Sequence, residues 1–109
     1  MSDSVIDVLG KEQLDGIIAA GWIVIVDFWA EWCGPCRMLG PVLHDIAEAN
    51  DGVVVAKINV DASENGDLSM EYGVRSIPQV NIFKDGAKVE QFVWALPPEQ
   101  VQEYIDKYK

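Results

Sequence analysis

Cysteine, histidine and positive charge are all scarce in this chain, which has two cysteines, one histidine and eight basic residues among 109. Each scarcity excludes something. A structural zinc site wants four ligands, but beyond Cys33 and Cys36 there is no third cysteine, and His44 is the single histidine. Eight bases against 18 acids leave a net charge of −10, a field that repels phosphate backbones and argues against nucleic-acid binding. No run of five like charges occurs, so the acids read as a solvated surface that can also help select partners. Long apolar runs are missing too. The longest, Trp22 to Val26, is far too short to cross a bilayer. Met1-Ser2-Asp3-Ser4 carries no basic cluster and precedes no long apolar run, so no secretory signal is expected. The expectation is a soluble, cytoplasmic protein folded as one domain over residues 1–109, without membrane or nucleic-acid partners.

What is present is a core. Half the residues are hydrophobic, enough to fold without metal or disulfide staples. Leu14, Ile17 and Ile18 fall on one face of a helix between Lys11 and Ala20. Ile23 to Trp29 is a near-continuous apolar run, the pattern of a strand buried on both faces. Leu39, Val42, Leu43, Ile46 and Ala47 mark a second helix, with Pro41 expected to kink it. Val53 to Asn59 reads as another buried strand. A short helix is expected within Glu64 to Tyr72, stopped by Gly73 as a left-handed cap. Gln79 to Phe83 and Lys88 to Trp94 flank Lys84-Asp85-Gly86-Ala87, where Asp-Gly signals a hairpin. Val101, Tyr104, Ile105 and Tyr108 share a face of the last helix, with Pro97 and Pro98 at its entry and Glu99 at its positive end. The fold class is α/β. The order β-α-β-α-β-α-β-β-α requires a mixed sheet with helices on both faces.

The chemistry concentrates in Trp32-Cys33-Gly34-Pro35-Cys36. The two cysteines stand three positions apart, where the buried strand ends and the second helix begins. On a helix, positions i and i+3 share a face, with Cβ atoms about 5–6 Å apart, so a modest adjustment brings the sulfurs into bonding distance. Cys33 is expected at the helix N-terminus, where free N–H groups and the helix dipole stabilise a thiolate and lower a cysteine pKa to roughly 3.5–7.5. Cys36, one turn in, is expected to be more shielded. That asymmetry assigns attack to Cys33 and resolution of the mixed disulfide to Cys36. Two bland readings stand beside it. A structural disulfide closing so short a loop would constrain little of the unfolded chain. A pair of inert buried thiols does not explain a Gly-Pro between them.

The segment Asp27-Phe28-Trp29-Ala30-Glu31-Trp32-Cys33-Gly34-Pro35-Cys36-Arg37 resembles the active-site segment of the thioredoxin family nearly residue for residue. Pro41 matches that family's helix-kinking proline, and Val55-Ala56-Lys57-Ile58-Asn59-Val60-Asp61 resembles its third strand. Tyr72-Gly73-Val74-Arg75-Ser76-Ile77-Pro78 resembles the approach to its cis-proline, and Phe83-Lys84-Asp85-Gly86 its hairpin. The resemblance implies a thioredoxin fold, a redox-active Cys33–Cys36 disulfide and no bound cofactor. It also implies a monomeric protein-disulfide reductase acting on disulfide-containing client proteins and recycled by a thioredoxin reductase.

Around the dithiol, Asp27 interrupts an otherwise apolar strand, where burial should raise its pKa. The residues alone allow a satisfied buried acid paired with Lys57. The resemblance makes Asp27 the base that helps Cys36 lose its proton, with Lys57 tuning it. By the same resemblance Ile77-Pro78 is the expected cis peptide, leaving the backbone of Ser76 and Ile77 open to an extended substrate. Trp32 is expected exposed on that docking surface, while Trp29 divides between packing and site support. Other readings of the CxxC remain. One is a reductant dedicated to a single client, and another a module in which two chains pool four cysteines around a metal.

The chain also departs from the family. Asn81 stands where an apolar residue is usual, in a strand expected to be central. The segment Ala62 to Met70 is slightly longer than in common members. Val93-Trp94-Ala95 replaces the small glycine near the active site. Trp94 either folds inward to fill a gap or joins Trp32 on the docking surface.

Overall fold

A computed structural model describes residues 4–109. Met1, Ser2 and Asp3, on which the expectation of no secretory signal partly rests, lie outside the described residues. The elements run β1 (Val5–Asp7), α1 (Lys11–Ala19), β2 (Ile23–Trp29), α2 (Gly34–Ala49) and β3 (Val53–Asn59). A 3₁₀ turn (Ser63–Asn65) and α3 (Leu68–Glu71) follow, then β4 (Gln79–Lys84), β5 (Ala87–Val93) and α4 (Pro98–Asp106). The strands form one sheet in the order β1-β3-β2-β4-β5. β3 pairs in parallel with β1 and β2, whereas β4 runs antiparallel to both β2 and β5. Parallel crossovers come first and a hairpin follows, the mixed sheet that the alternating elements require.

The strand pleat sorts the apolar residues into two cores. Ile23 and Ile25 of β2 pack with Leu39, Leu43 and Ile46 of α2 and Val101 and Ile105 of α4. Val24, Val26 and Phe28 pack on the other face with Leu14 and Ile18 of α1 and Leu68 of α3. Helices therefore cover both faces, and each fully buried Val, Leu or Ile contributes roughly 1.5–3 kcal/mol by leaving water. Asp27 shares the pleat phase of Ile23 and Ile25, which turns its carboxyl toward α2. Among the described residues no helix is long and apolar enough to cross a membrane.

Local chemistry explains the boundaries. At the hairpin, Asp85 and Gly86 have φ values of 52° and 84°, the left-handed pair of a two-residue turn that twists with its strands. Gly73, at φ 65°, follows α3 and donates its N–H to the Met70 carbonyl at 3.1 Å. The short helix expected within Glu64 to Tyr72 is α3, and the 3₁₀ turn precedes it. Helix α2 runs through Pro41, which has no N–H to offer the Arg37 carbonyl one turn earlier.

Asn81 is fully buried in β4. Gln79, on the same face, donates Nε2–H to Asn81 Oδ1 at 3.1 Å, but Asn81 Nδ2 reaches no partner among the described residues. A buried orphan donor costs about 1–3 kcal/mol. Asn81→Val alone removes that orphan and strands Gln79 Nε2 instead, so its stability should stay within about 1 kcal/mol of wild type. Gln79→Leu combined with Asn81→Val removes both amides and should raise stability by about 1–3 kcal/mol. Urea unfolding of both singles and the double checks this, and additive singles would disprove the coupling.

Candidate active site

Strand β2 delivers the site. After Trp29 the chain leaves the sheet through Ala30-Glu31-Trp32, and Cys33 becomes the N-cap of α2 in an extended conformation (φ −92°, ψ 109°). The helix starts at Gly34-Pro35, where a proline is tolerated because the first N–H groups have no intrahelical acceptor. Cys33 N–H donates to the Ala30 carbonyl and Arg37 N–H to the Cys33 carbonyl, both at 3.2 Å. Cys33 and Cys36 are joined as a disulfide with Cα atoms 5.3 Å apart. Cys36 N–H points at Cys33 Sγ from 3.2 Å, so the helix supplies a donor to the sulfur expected to carry charge. Gly34 has another use. A Cβ built there meets nothing within 4 Å, so the glycine keeps the space beside the disulfide open and relieves no clash within the chain.

The expected difference in shielding between the sulfurs is small, since both cysteines are buried. Their surroundings differ instead. Cys33 Sγ lies 3.7 Å from the Ile77 carbonyl oxygen, a contact in which it can donate only when reduced. Cys36 lines a cavity of about 350 Å³ together with Asp27, Trp29, Lys57, Arg37 and His44. Only 1 % of Asp27 is exposed, and its Oδ1 has no hydrogen-bond partner among the described residues. Burial pushes its pKa from the ordinary 3.8 up to about 7, against the pull of the Lys57 charge. Lys57 stands directly opposite Asp27 in the β2–β3 register. Its ammonium, however, sits 4.5 Å from the centroid of the Trp29 ring, and no ion pair among the described residues involves Asp27. Lys57 acts on the acid through the field and does not neutralise it by contact. Trp29 also packs against Cys33 and Cys36, so it is both packing and site wall. His44 is half-exposed, near Asp45 and Glu48 at 3.5 and 3.6 Å.

On the other side of the disulfide, Ile77-Pro78 is a cis peptide. No hydrogen bond among the described residues uses the backbone N–H of Ser76 or Ile77. Trp32 is 71 % exposed, and its Nε1–H donates to Asp61 Oδ2 at 2.8 Å. The sequence does not single out Asp61, because only the strand register brings it to Trp32. β3 lies parallel to β2, Val60 N–H bonds the Trp29 carbonyl, and Asp61, the second residue past β3, therefore falls beside the loop just past β2. Trp94, 64 % exposed, has φ 85° and donates its N–H to the Pro78 carbonyl at 3.0 Å. It does not fold inward.

A family model described as Thioredoxin matches residues 5–107. This chain belongs to the thioredoxin family. It is 49% identical over 86 residues to a thioredoxin of Chlorobaculum thiosulfatiphilum, with 78% of each chain covered. Thioredoxin 1 of Synechococcus elongatus gives the same identity and coverage. Among solved structures, a mutant thioredoxin from Halobacterium salinarum superposes with a TM-score of 0.89 at 40% identity, covering 97% of this chain and 91% of that one. The fold is thus the thioredoxin fold, and the Cys33–Cys36 pair makes the chain a disulfide oxidoreductase of that family.

Proposed function

We propose that the protein reduces disulfides in client proteins through a mixed disulfide formed at Cys33, and that a thioredoxin reductase returns it to the dithiol form. The observation that carries this reading is the disulfide across the first turn of α2, set against the open N–H of Ile77 beside the cis proline. A client segment that pairs with Ser76 and Ile77 in strand fashion brings its sulfur over Cys33. The Cys33 thiolate, held by the Cys36 N–H, attacks one client sulfur, and the other leaves as a thiol after taking a proton. Cys36 then gives its proton to Asp27 and attacks Cys33 Sγ. The client departs with both sulfurs reduced, and the Cys33–Cys36 disulfide re-forms. Lys57 biases Asp27, while Trp32, Ser76, Ile77, Pro78 and Trp94 form the docking surface. The two electrons pass through the cysteine sulfurs, so the reaction needs no bound cofactor on this chain. It takes place in the cytoplasm, with the protein as a monomer.

The test couples oxidised protein to NADPH and an NADPH-dependent thioredoxin reductase, or to reduced ferredoxin and its own reductase, with a disulfide-bonded protein as final acceptor. Client thiols should appear in step with reductant consumed, two per electron pair. Failure of the dithiol form to reduce any protein disulfide would overturn the reading.

A further inference from the structure

Trp94 combines two features that gain the fold nothing. Its φ of 85° belongs to glycine's region, where a bulky side chain is strained and rarely found. Its ring is largely in water, and among the described residues the side chain makes no hydrogen bond, ring contact or cation contact. Trp32 differs, because Asp61 anchors its indole. The Trp94 backbone cannot relax, since Val93 is still in register with Gln79 and the Trp94 N–H is held by Pro78. Strain held in place by surrounding structure, with no structural return, points to function.

The position says which function. Ile77 is the residue whose carbonyl touches Cys33 Sγ, and Trp94 is bonded to the very next residue, Pro78. A client strand pairing with Ile77 advances about 3.3 Å per residue, so the indole meets side chains one or two residues from the attacked cysteine. Glycine there would admit any backbone. The indole instead offers a flat, exposed apolar face, and a net charge of −10 disfavours acidic flanks.

Resting on the reductase reading above, we infer that Trp94 is a specificity-determining residue. It selects extended client segments that carry a large apolar side chain next to the attacked cysteine. An aromatic anchor of this kind favours a matched partner by about tenfold or more.

The test uses two disulfide-bonded peptides that differ in one residue beside the attacked cysteine, leucine in one and glycine in the other, with a small aliphatic disulfide as a third substrate. Wild type should show kcat/KM about tenfold higher for the leucine peptide. Trp94→Gly should bring the ratio near one, Trp94→Asn, which tolerates positive φ, should do the same, and Trp94→Phe should keep most of the preference. Melting temperatures of all variants show whether each is folded, and the glycine variant should not melt lower than wild type. If wild type reduces all three substrates without preference, or if the preference survives in both Trp94→Gly and Trp94→Asn, the inference falls alone. If wild type reduces none of the three, the reductase reading falls with it.

Discussion

Cys36→Ser, reduced, freed of external reductant and incubated with oxidised client proteins, should accumulate covalent adducts through Cys33, while Cys33→Ser should accumulate almost none. The asymmetry follows from placement. Cys33 is the N-cap, its sulfur faces the Cys36 N–H at 3.2 Å and the Ile77 carbonyl at 3.7 Å, and it borders the surface where Trp32 is exposed. Cys36 faces the Asp27 cavity. Attack needs a stabilised thiolate that a client can reach, and resolution needs a nearby second thiol with a base. Serine in place of Cys36 keeps the first step and deletes the second, so the mixed disulfide persists. Serine in place of Cys33 deletes the first step, and turnover should fall by more than about 10³-fold, the scale of losing an enzyme's nucleophile. Non-reducing electrophoresis with mass spectrometry of the adducts reads the result. Adducts on Cys36 in the Cys33→Ser protein, as abundant as those on Cys33, would reverse the roles.

The path from sequence to site was clearest where one residue type had one use. Asp85-Gly86 demanded a left-handed turn, and both residues adopt it. The apolar run of β2 required burial on both faces, and its alternate side chains enter two separate cores. One acid within that run then had to face α2 by the period of the pleat alone. The edge strand β1 was legible only as a slot in the alternating order, because three residues carry too little pattern to mark a strand. Asp61 escaped because its role depends on the parallel register of β2 and β3, a long-range fact that no local spacing reports. The shielding difference between the cysteines was inferred from helix position, yet the fold closes over both sulfurs and separates them by what each one faces. For Trp94 the departure itself was the signal. A tryptophan where the family has glycine raised the question, and only the backbone φ with the exposed ring decided between core and surface.

Asp27→Asn should slow client reduction about ten- to a hundredfold at pH 7–8, within the range that general-base catalysis contributes, and should make the protein more stable. Both effects come from one carboxyl with its pKa at about 7. In the unfolded chain the same carboxyl titrates near its ordinary 3.8. Below pH 4 both states hold the proton, so folding bears no ionisation penalty. Between pH 4 and 7 the unfolded state releases the proton and the folded state keeps it, so stability falls as pH rises. Above pH 7 the penalty is complete. The gap between 3.8 and about 7 corresponds to an upper limit of about 4 kcal/mol. Asparagine recovers less, because its amide in the same place is itself a buried polar group costing about 1–3 kcal/mol if unpaired. A net gain of about 1–3 kcal/mol at pH 8, falling with pH and turning into a loss of about 1–3 kcal/mol near pH 4, is therefore expected. The rate should carry the same signature. Wild-type resolution of the mixed disulfide should decline as pH drops through 7 and Asp27 becomes protonated, while the Asp27→Asn profile should lose that inflection. Urea unfolding at pH 4, 6 and 8 and single-turnover kinetics across the same range measure the two effects separately. A stability difference that does not vary with pH would show that Asp27 is ionised throughout. Turnover equal to wild type from pH 6 to 8 would remove it from the chemistry and leave Cys36 to lose its proton to solvent through the cavity the two residues share.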